Sequence, residues 1–225
     1  MAGTLYVVAT PIGNMGDLSP RAVEVLRGVS RIAAEDTRHT GLLLKRHAIK
    51  GDMISYHEHN ELNRTQELLA ALLGGSDIAL VSDAGTPTIS DPGYRLVNAA
   101  GEAGIAISAV PGPSAVTAAL SVSGLPTDRF LFEGFLPRKK GRRTRLRSLA
   151  QFEGTVILFE SPVRLATTLS DILEHFGNRP AAIARELTKL HETVLRGTVE
   201  GLLEAVQTKP PKGECVLLVA KEGLL

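Results

Sequence analysis

The stretch Ile78-Ala-Leu-Val-Ser-Asp-Ala-Gly-Thr-Pro-Thr-Ile-Ser-Asp-Pro-Gly93 constrains the fold of this chain more than any other. It opens as an apolar run, Ile78 to Val81, the pattern of a strand buried on both faces. Small and polar residues follow, with Gly85 and Pro87 among them, and Asp91-Pro92 reads as a helix N-cap followed by proline at the first helical position. A strand, a long loop and a helix put that loop at the carboxyl edge of a parallel sheet. Open α/β sheets bind small molecules there. Asp83, Thr86, Ser90 and Asp91 supply polar groups, and Gly85 lets a ligand approach the backbone. Taken alone, the stretch reads equally well as an ordinary βα connection.

The rest of the chain repeats the pattern. Leu5–Ala9 is a further buried strand, and Arg31–Ala34, Met53–Tyr56 and Ile105–Val110 are strands as well. Between them lie a helix opened by Ser19-Pro20, a helix through Leu42, Leu43 and Leu44 after the polar tip Glu35–Thr40, and an Asn60-capped helix ending at Gly74-Gly75. A helix through Leu96, Val97 and Ala100 precedes the fifth strand, which enters Pro111-Gly-Pro-Ser-Ala115 and a small-residue helix. Five strands with interleaved helices predict an α/β domain with a mostly parallel sheet over residues 1–118. Ser123-Gly-Leu-Pro126 reads as a hinge. Beyond it, strands at Phe130–Phe132, Thr155–Phe159, Ala181–Ala184, Val194–Val199 and Cys215–Ala220 predict a second α/β domain over 119–225, with a cleft between the two. The helix opened by Ser161-Pro162 is the clearest, with Leu165, Leu169, Ile172, Leu173 and Phe176 on one face.

Composition enters where it excludes function classes. The chain has 225 residues, 44% hydrophobic and 22% charged, as in soluble globular proteins. No apolar run approaches the ~20 residues needed to span a bilayer, and the N-terminus shows no signal-peptide pattern. The single Cys215 rules out an internal disulfide, and a cytoplasmic, soluble protein is expected. Arg138, Lys139, Lys140, Arg142, Arg143, Arg145 and Arg147 carry seven positive charges; removing them from the net +1 leaves the rest of the chain at −6. A solvated loop and helix start accounts for such a run, and so does a localised anion site. Aromatics are scarce beside it, which favours phosphate contact over base stacking.

Among familiar sites, the chain has no phosphate-binding P-loop, no dinucleotide fingerprint after the first strand, no nucleophile elbow and no H-E-x-x-H. His57 and His59, with Glu58 and Glu61 near, read as an exposed turn rather than metal ligands, and no metal is expected. What remains is a set of Gly/Pro loops at strand ends: Thr10–Gly16, Glu35–Thr40, Ser82–Pro92 and Pro111–Ala115. They offer no evident nucleophile and suit a cofactor that carries its own activated group.

Val7-Val-Ala-Thr-Pro-Ile-Gly-Asn14, Ala34-Glu-Asp-Thr-Arg-His-Thr40, Leu80-Val-Ser-Asp-Ala-Gly-Thr-Pro87, Val110-Pro-Gly-Pro-Ser-Ala115 and Phe159-Glu-Ser-Pro162 together resemble the tetrapyrrole-methylase superfamily, and within it the branch that methylates small-subunit ribosomal RNA. The resemblance implies a two-domain α/β fold with S-adenosylmethionine in the cleft, a homodimer, and 2′-O-methylation of a cytidine ribose in the decoding region of 16S rRNA. It also implies the residues. The superfamily's Gly-Asp-Pro loop falls on Gly85-Thr86-Pro87, beside Asp83, Ala84 and Ile89; Thr86 stands where the superfamily carries Asp, and Asp83 compensates. Ser114 and Ala115 match the segment that holds the methionine part, Ile12 lines the first loop, and Phe159, Leu187 and Glu214 fall on the cofactor wall of the second domain.

On the same reading Glu35, Asp36, Arg38 and His39 face the nucleotide, with Asp36 or Asp83 as proton acceptor and Arg38 as phosphate clamp. A structural Asp36–Arg38 ion pair is the competing expectation. Arg138, Lys139, Lys140, Arg142 and Arg143 form the RNA tether. Members of this branch usually carry a further C-terminal segment; a chain stopping at Leu225 reads as a naturally short or a trimmed member, short of one RNA contact. Two other readings compete: a small-molecule tetrapyrrole methylase of the same fold, disfavoured by the clustered cations, and a non-enzymatic RNA-binding module.

Overall fold

Apolar runs without polar alternation become strands covered on both faces, as Ile78–Val81 does here, while the two edge strands of the first sheet stay more open. In the computed structural model, which describes residues 1–223, the first five are β1 (Thr4–Val8), β2 (Arg31–Ala34), β3 (Met53–Ser55), β4 (Ile78–Val81) and β5 (Ala106–Val110). They pair in the order β3-β2-β4-β1-β5, every pair parallel. Along β4 the side chains alternate: Ala79 and Val81 join α1 (Pro20–Gly28) and α2 (Thr37–Arg46) on one face. Ile78 and Leu80 join α3 (Glu61–Leu73) and α4 (Tyr94–Glu102) on the other. Leu80 is 1% exposed, and truncating it to Ala is expected to cost about 2–5 kcal/mol.

This topology positions the site. The chain leaves β1 for α1 on one face and leaves the adjacent β4 for α4 on the other, so the two strand ends diverge at a switch point.

Two expectations are corrected here. The Glu35–Thr40 tip is not a loop ahead of a helix, because α2 begins at Thr37 with the Asp36 carboxylate accepting the Arg38 N–H as N-cap. Asp91-Pro92 does not start α4; the helix begins at Tyr94 behind Gly93. Thr88 (φ 76°) and Ser90 (φ 65°) occupy the left-handed region and prolong the loop, and Gly93 turns at φ 132°, where a Cβ would stand 2.8 Å from Leu80 Cδ2.

The second unit begins at Ala115. Its strands β6 (Phe130–Phe135), β7 (Thr155–Glu160), β8 (Pro180–Arg185), β9 (Thr193–Thr198) and β10 (Cys215–Val219) pair in the order β6-β7-β10-β8-β9. Only β6 and β7 are parallel. One face is buried under α6 (Arg142–Ala150), α7 (Pro162–Phe176) and α8 (Val199–Thr208). Cys215 is buried in that core, and burial pushes its thiol up to about 11, which leaves it unreactive. Helix α5 (Ala115–Ser123) packs on β8, β9 and β10, so the division between units falls before this helix, ahead of a boundary at 118. No helix among the described residues is long and apolar enough to cross a membrane.

Candidate functional site

The loops leaving β1 and β4 are tied together at the switch point. Thr10 and Gly85 exchange backbone hydrogen bonds of 2.8 and 3.1 Å, and the Thr10 hydroxyl donates to the Ser82 carbonyl at 3.1 Å. Gly85 takes φ 84°, which admits the turn beneath Ile12, itself buried. The Thr86 hydroxyl donates to the Pro113 carbonyl at 3.4 Å, so the Pro111–Ser114 loop joins the same edge. Gly112 lies close against Ala9; a Cβ there would come within 3.0 Å of the Ala9 Cβ. Ala84, Pro111 and Gly112 are exposed on this floor, and Ile89 is left 44% exposed. Thr88 and Ser90, non-glycine residues held left-handed, store about 1–3 kcal/mol each of backbone strain, a pattern that clusters at ligand sites.

A group of carboxylates stands beside this floor. The Asp36 N–H donates to Asp83 Oδ1 at 3.1 Å and the Asp83 N–H to Glu35 Oε2 at 3.3 Å, which clamps the β2 and β4 strand ends to each other. Asp36 caps α2 and also binds the Arg38 guanidinium at 2.8 Å; the Arg38 side chain and backbone N–H hold its carboxyl well below the usual carboxylate range. It is therefore a weak proton acceptor. Glu35 is shifted the other way, chiefly by burial and also by the charges of Asp83 and Asp36, with the Asp83 N–H opposing. Asp91 is pushed up to about 6 by burial and by the charges of Glu35 and Asp83, against the Ser82 hydroxyl, which favours its ionised form. The sequence reads Asp91 as a polar group of this loop and as a helix cap, not as a proton acceptor; the left-handed Thr88 and Ser90 hold it in the loop instead of at the helix start.

Next to Asp91 a cavity of about 660 Å³ opens over the β2, β3 and β4 strand ends, lined among others by Glu35, His57, Glu58, His59, Tyr94 and Arg95. His57 and His59 therefore belong to a cavity wall and not merely to an exposed turn. Among the described residues no group of three or more His, Cys, Asp or Glu side chains converges as a metal ion requires.

In the second unit the basic run divides in two. Arg142 is 9% exposed, with its guanidinium on Asp171 (2.7 Å), the Thr168 hydroxyl (2.9 Å) and the Pro137 carbonyl (3.2 Å). The Thr168 hydroxyl in turn donates to buried Glu160 at 2.6 Å, so Arg142 joins α6 to α7 and is no part of an RNA-facing surface. Arg145 pairs with Glu133 at 2.6 Å. Arg138, Lys139, Lys140, Arg143 and Arg147 are exposed. Phe159, Leu187 and Glu214 gather at one end of the second sheet: Phe159 pairs with Val216, while the backbones of Glu186 and Glu214 are hydrogen bonded at 3.0 Å. The Glu214 carboxylate is taken by Lys189 at 2.9 Å.

The family described as Tetrapyrrole (Corrin/Porphyrin) Methylases matches residues 4–203. A Synechocystis protein named ribosomal RNA small subunit methyltransferase I is 56% identical over 97% of this chain and 79% of its own length. A Thermotoga maritima protein of the same name is 49% identical over 98% of this chain and 100% of its own. Among solved structures, uroporphyrin-III-C-methyltransferase from Thermus thermophilus matches with a TM-score of 0.64 at 24% identity, covering 97% of this chain and 94% of that one. Diphthine synthase matches with a TM-score of 0.75 at 14% identity over 99% and 92%. At such identities the solved structures speak for the fold alone.

Proposed function

This chain belongs to the tetrapyrrole (corrin/porphyrin) methylases, and we propose that within them it methylates the 2′-oxygen of a cytidine ribose in 16S rRNA of the small ribosomal subunit. The methyl donor is S-adenosylmethionine, which supplies a methyl group activated on a sulfonium sulfur. Relatives at 49–56% identity bear the small-subunit rRNA name, which favours this substrate over a tetrapyrrole.

The loops of the first unit fit such a donor. Exposed Ala84, Pro111 and Gly112 offer backbone groups and close approach; Ile12, Ile89, Ser114 and Ala115 would complete the seat. Thr86 engages Pro113 instead of presenting the superfamily's acid, so the anionic contact would fall to Asp83.

The observation that carries the chemistry is Asp91, a half-buried carboxylate held near neutrality among Glu35 and Asp83 at the switch point. A base works best with a pKa near the working pH, and an ionised Asp91 suits removal of the ribose hydroxyl proton. Holding the hydroxyl oxygen in line with the methyl carbon supplies the larger part of the acceleration. Asp83 then serves as the residue that clamps the edge, and Asp36 as the α2 cap. Arg38, with its side chain 90% exposed, and His39 face the nucleotide's phosphates; Arg138, Lys139, Lys140 and Arg143 tether the RNA. The enzyme acts as a homodimer in the cytoplasm, and light scattering checks the assembly.

The test is transfer of labelled methyl from S-adenosylmethionine to purified small subunits that lack their own ribose methylation, followed by nuclease mapping. Label on a cytidine 2′-oxygen is the expected result. Label on a base or on protein would overturn the proposed position, and no label with cofactor bound would overturn the substrate.

A further inference from the structure

The cavity beside Asp91 has the size of a small-molecule site and an acidic wall, Glu35, Glu58 and Asp91 among its lining. Glu61 is also there but is tied to Arg95 at 2.6 Å. Three carboxylates repel a phosphate, so the cavity suits an uncharged ring that brings hydrogen-bond donors.

His57 adds the opposite partner. Asn60 Oδ1 accepts the His57 backbone N–H at 2.9 Å, which orients the Asn60 amide so that its nitrogen donates to the Ser55 carbonyl at 3.1 Å and faces His57 Nε2 at 3.2 Å. Nε2 must therefore accept, and the proton of the neutral ring sits on Nδ1. That N–H is buried and meets no acceptor among the described residues. A buried donor without a partner costs about 1–3 kcal/mol unless a ligand supplies one. The exposed ring of His59 stands edge-on to His57 with 6.0 Å between centroids, and Tyr94 is 70% exposed at the rim.

We propose that this cavity receives the base of the methylated nucleotide and selects bases that carry an exocyclic amino group. Glu58 accepts from the amino group, and His57 Nδ1–H, closed to solvent in this structure, donates to the ring acceptor beside it once the edge-on His59 ring moves. Tyr94 stacks on the base face as His59 gives way. On the Watson–Crick edge an amino group next to a ring acceptor belongs to cytosine and adenine; guanine and uracil turn a ring N–H toward the His57 donor and are rejected. The inference rests on the RNA reading above.

It is tested by single-turnover methyl transfer to small subunits carrying cytidine or uridine at the mapped target. The wild-type protein is expected to favour cytidine about 10–100-fold. In Glu58→Gln, whose amide can also donate, that preference should fall about tenfold with cofactor affinity unchanged. Tyr94→Ala, at an exposed position that leaves the fold alone, should slow both substrates equally. A preference that is the same in Glu58→Gln and His57→Phe as in the wild type would overturn the assignment of this cavity. No transfer by the wild type to either substrate would instead overturn the RNA reading itself, so the two failures are distinct.

Discussion

Asp36 and Asp91 lie at carboxyl ends of the same sheet, after β2 and β4, and their environments drive them apart. At the first turn of α2, Asp36 meets a backbone N–H and a guanidinium, both of which favour the charge. In the loop before α4, Asp91 meets burial and the like charges of Glu35 and Asp83, which disfavour it. One residue type thus yields a helix cap in one place and a candidate proton acceptor in the other, and the difference lies wholly in what surrounds the carboxyl group.

The largest effect should come from removing the Asp91 charge. Asp91→Asn keeps the shape and is expected to lower single-turnover methyl transfer by about 10²–10⁴-fold with cofactor binding retained. A loss below threefold would assign the proton to another group and break the comparison. The wild-type pH profile sharpens it. Asp91 must be ionised to accept a proton, so the transfer rate should fall roughly tenfold per pH unit below about 6 and level off above it. Because the three carboxylates interact, the midpoint belongs to the cluster, and it should disappear in Asp91→Asn. A midpoint near 4 in the wild type would place the base in a solvated carboxylate instead.

The basic run repeats the lesson with the opposite charge. Arg142 and Arg143 are neighbours, yet one is buried on Asp171 and Thr168 while the other is exposed. Arg142→Ala should destabilise the protein by about 2 kcal/mol or more, read by denaturant unfolding. Arg143→Glu should leave stability within about 0.5 kcal/mol and flatten the salt dependence of RNA binding. An unchanged salt slope would remove Arg143 from the tether.

What the sequence made legible follows from the range of the forces involved. Buried apolar runs such as Ile78–Val81 and Thr155–Phe159 are local signals, and the strands stand where they predict, within a residue or two, except that β6 runs three residues past Phe132. The Ser19 and Ser161 helix starts were equally plain, each followed by proline. Asp91, by contrast, looked like a cap because Asp-Pro is a local signature, whereas its role depends on Glu35 and Asp83, far away along the chain. His57 was hidden although its partners are local: its tautomer is decided by which way the Asn60 amide turns toward the Ser55 carbonyl, which the residue types alone do not show. The burial of Arg142 depends on Thr168 and Asp171, a helix away.

The smallest expected effect completes the comparison. Asp36→Ala removes the α2 cap and the Arg38 pair, and it should lower Tm by about 2–4 °C at neutral pH, the size of a lost helix cap in a chain of this length. The folded protein holds the Asp36 carboxyl below its unfolded value, so its contribution is present above that value and is lost as pH falls through the acid range. The Tm gap between Asp36→Ala and wild type should therefore close on acidification, while methyl transfer at neutral pH stays within about threefold of wild type. A variant that keeps its Tm but loses transfer would return Asp36 to the chemistry, and Asp91 would then have to be read as the structural carboxylate of the two.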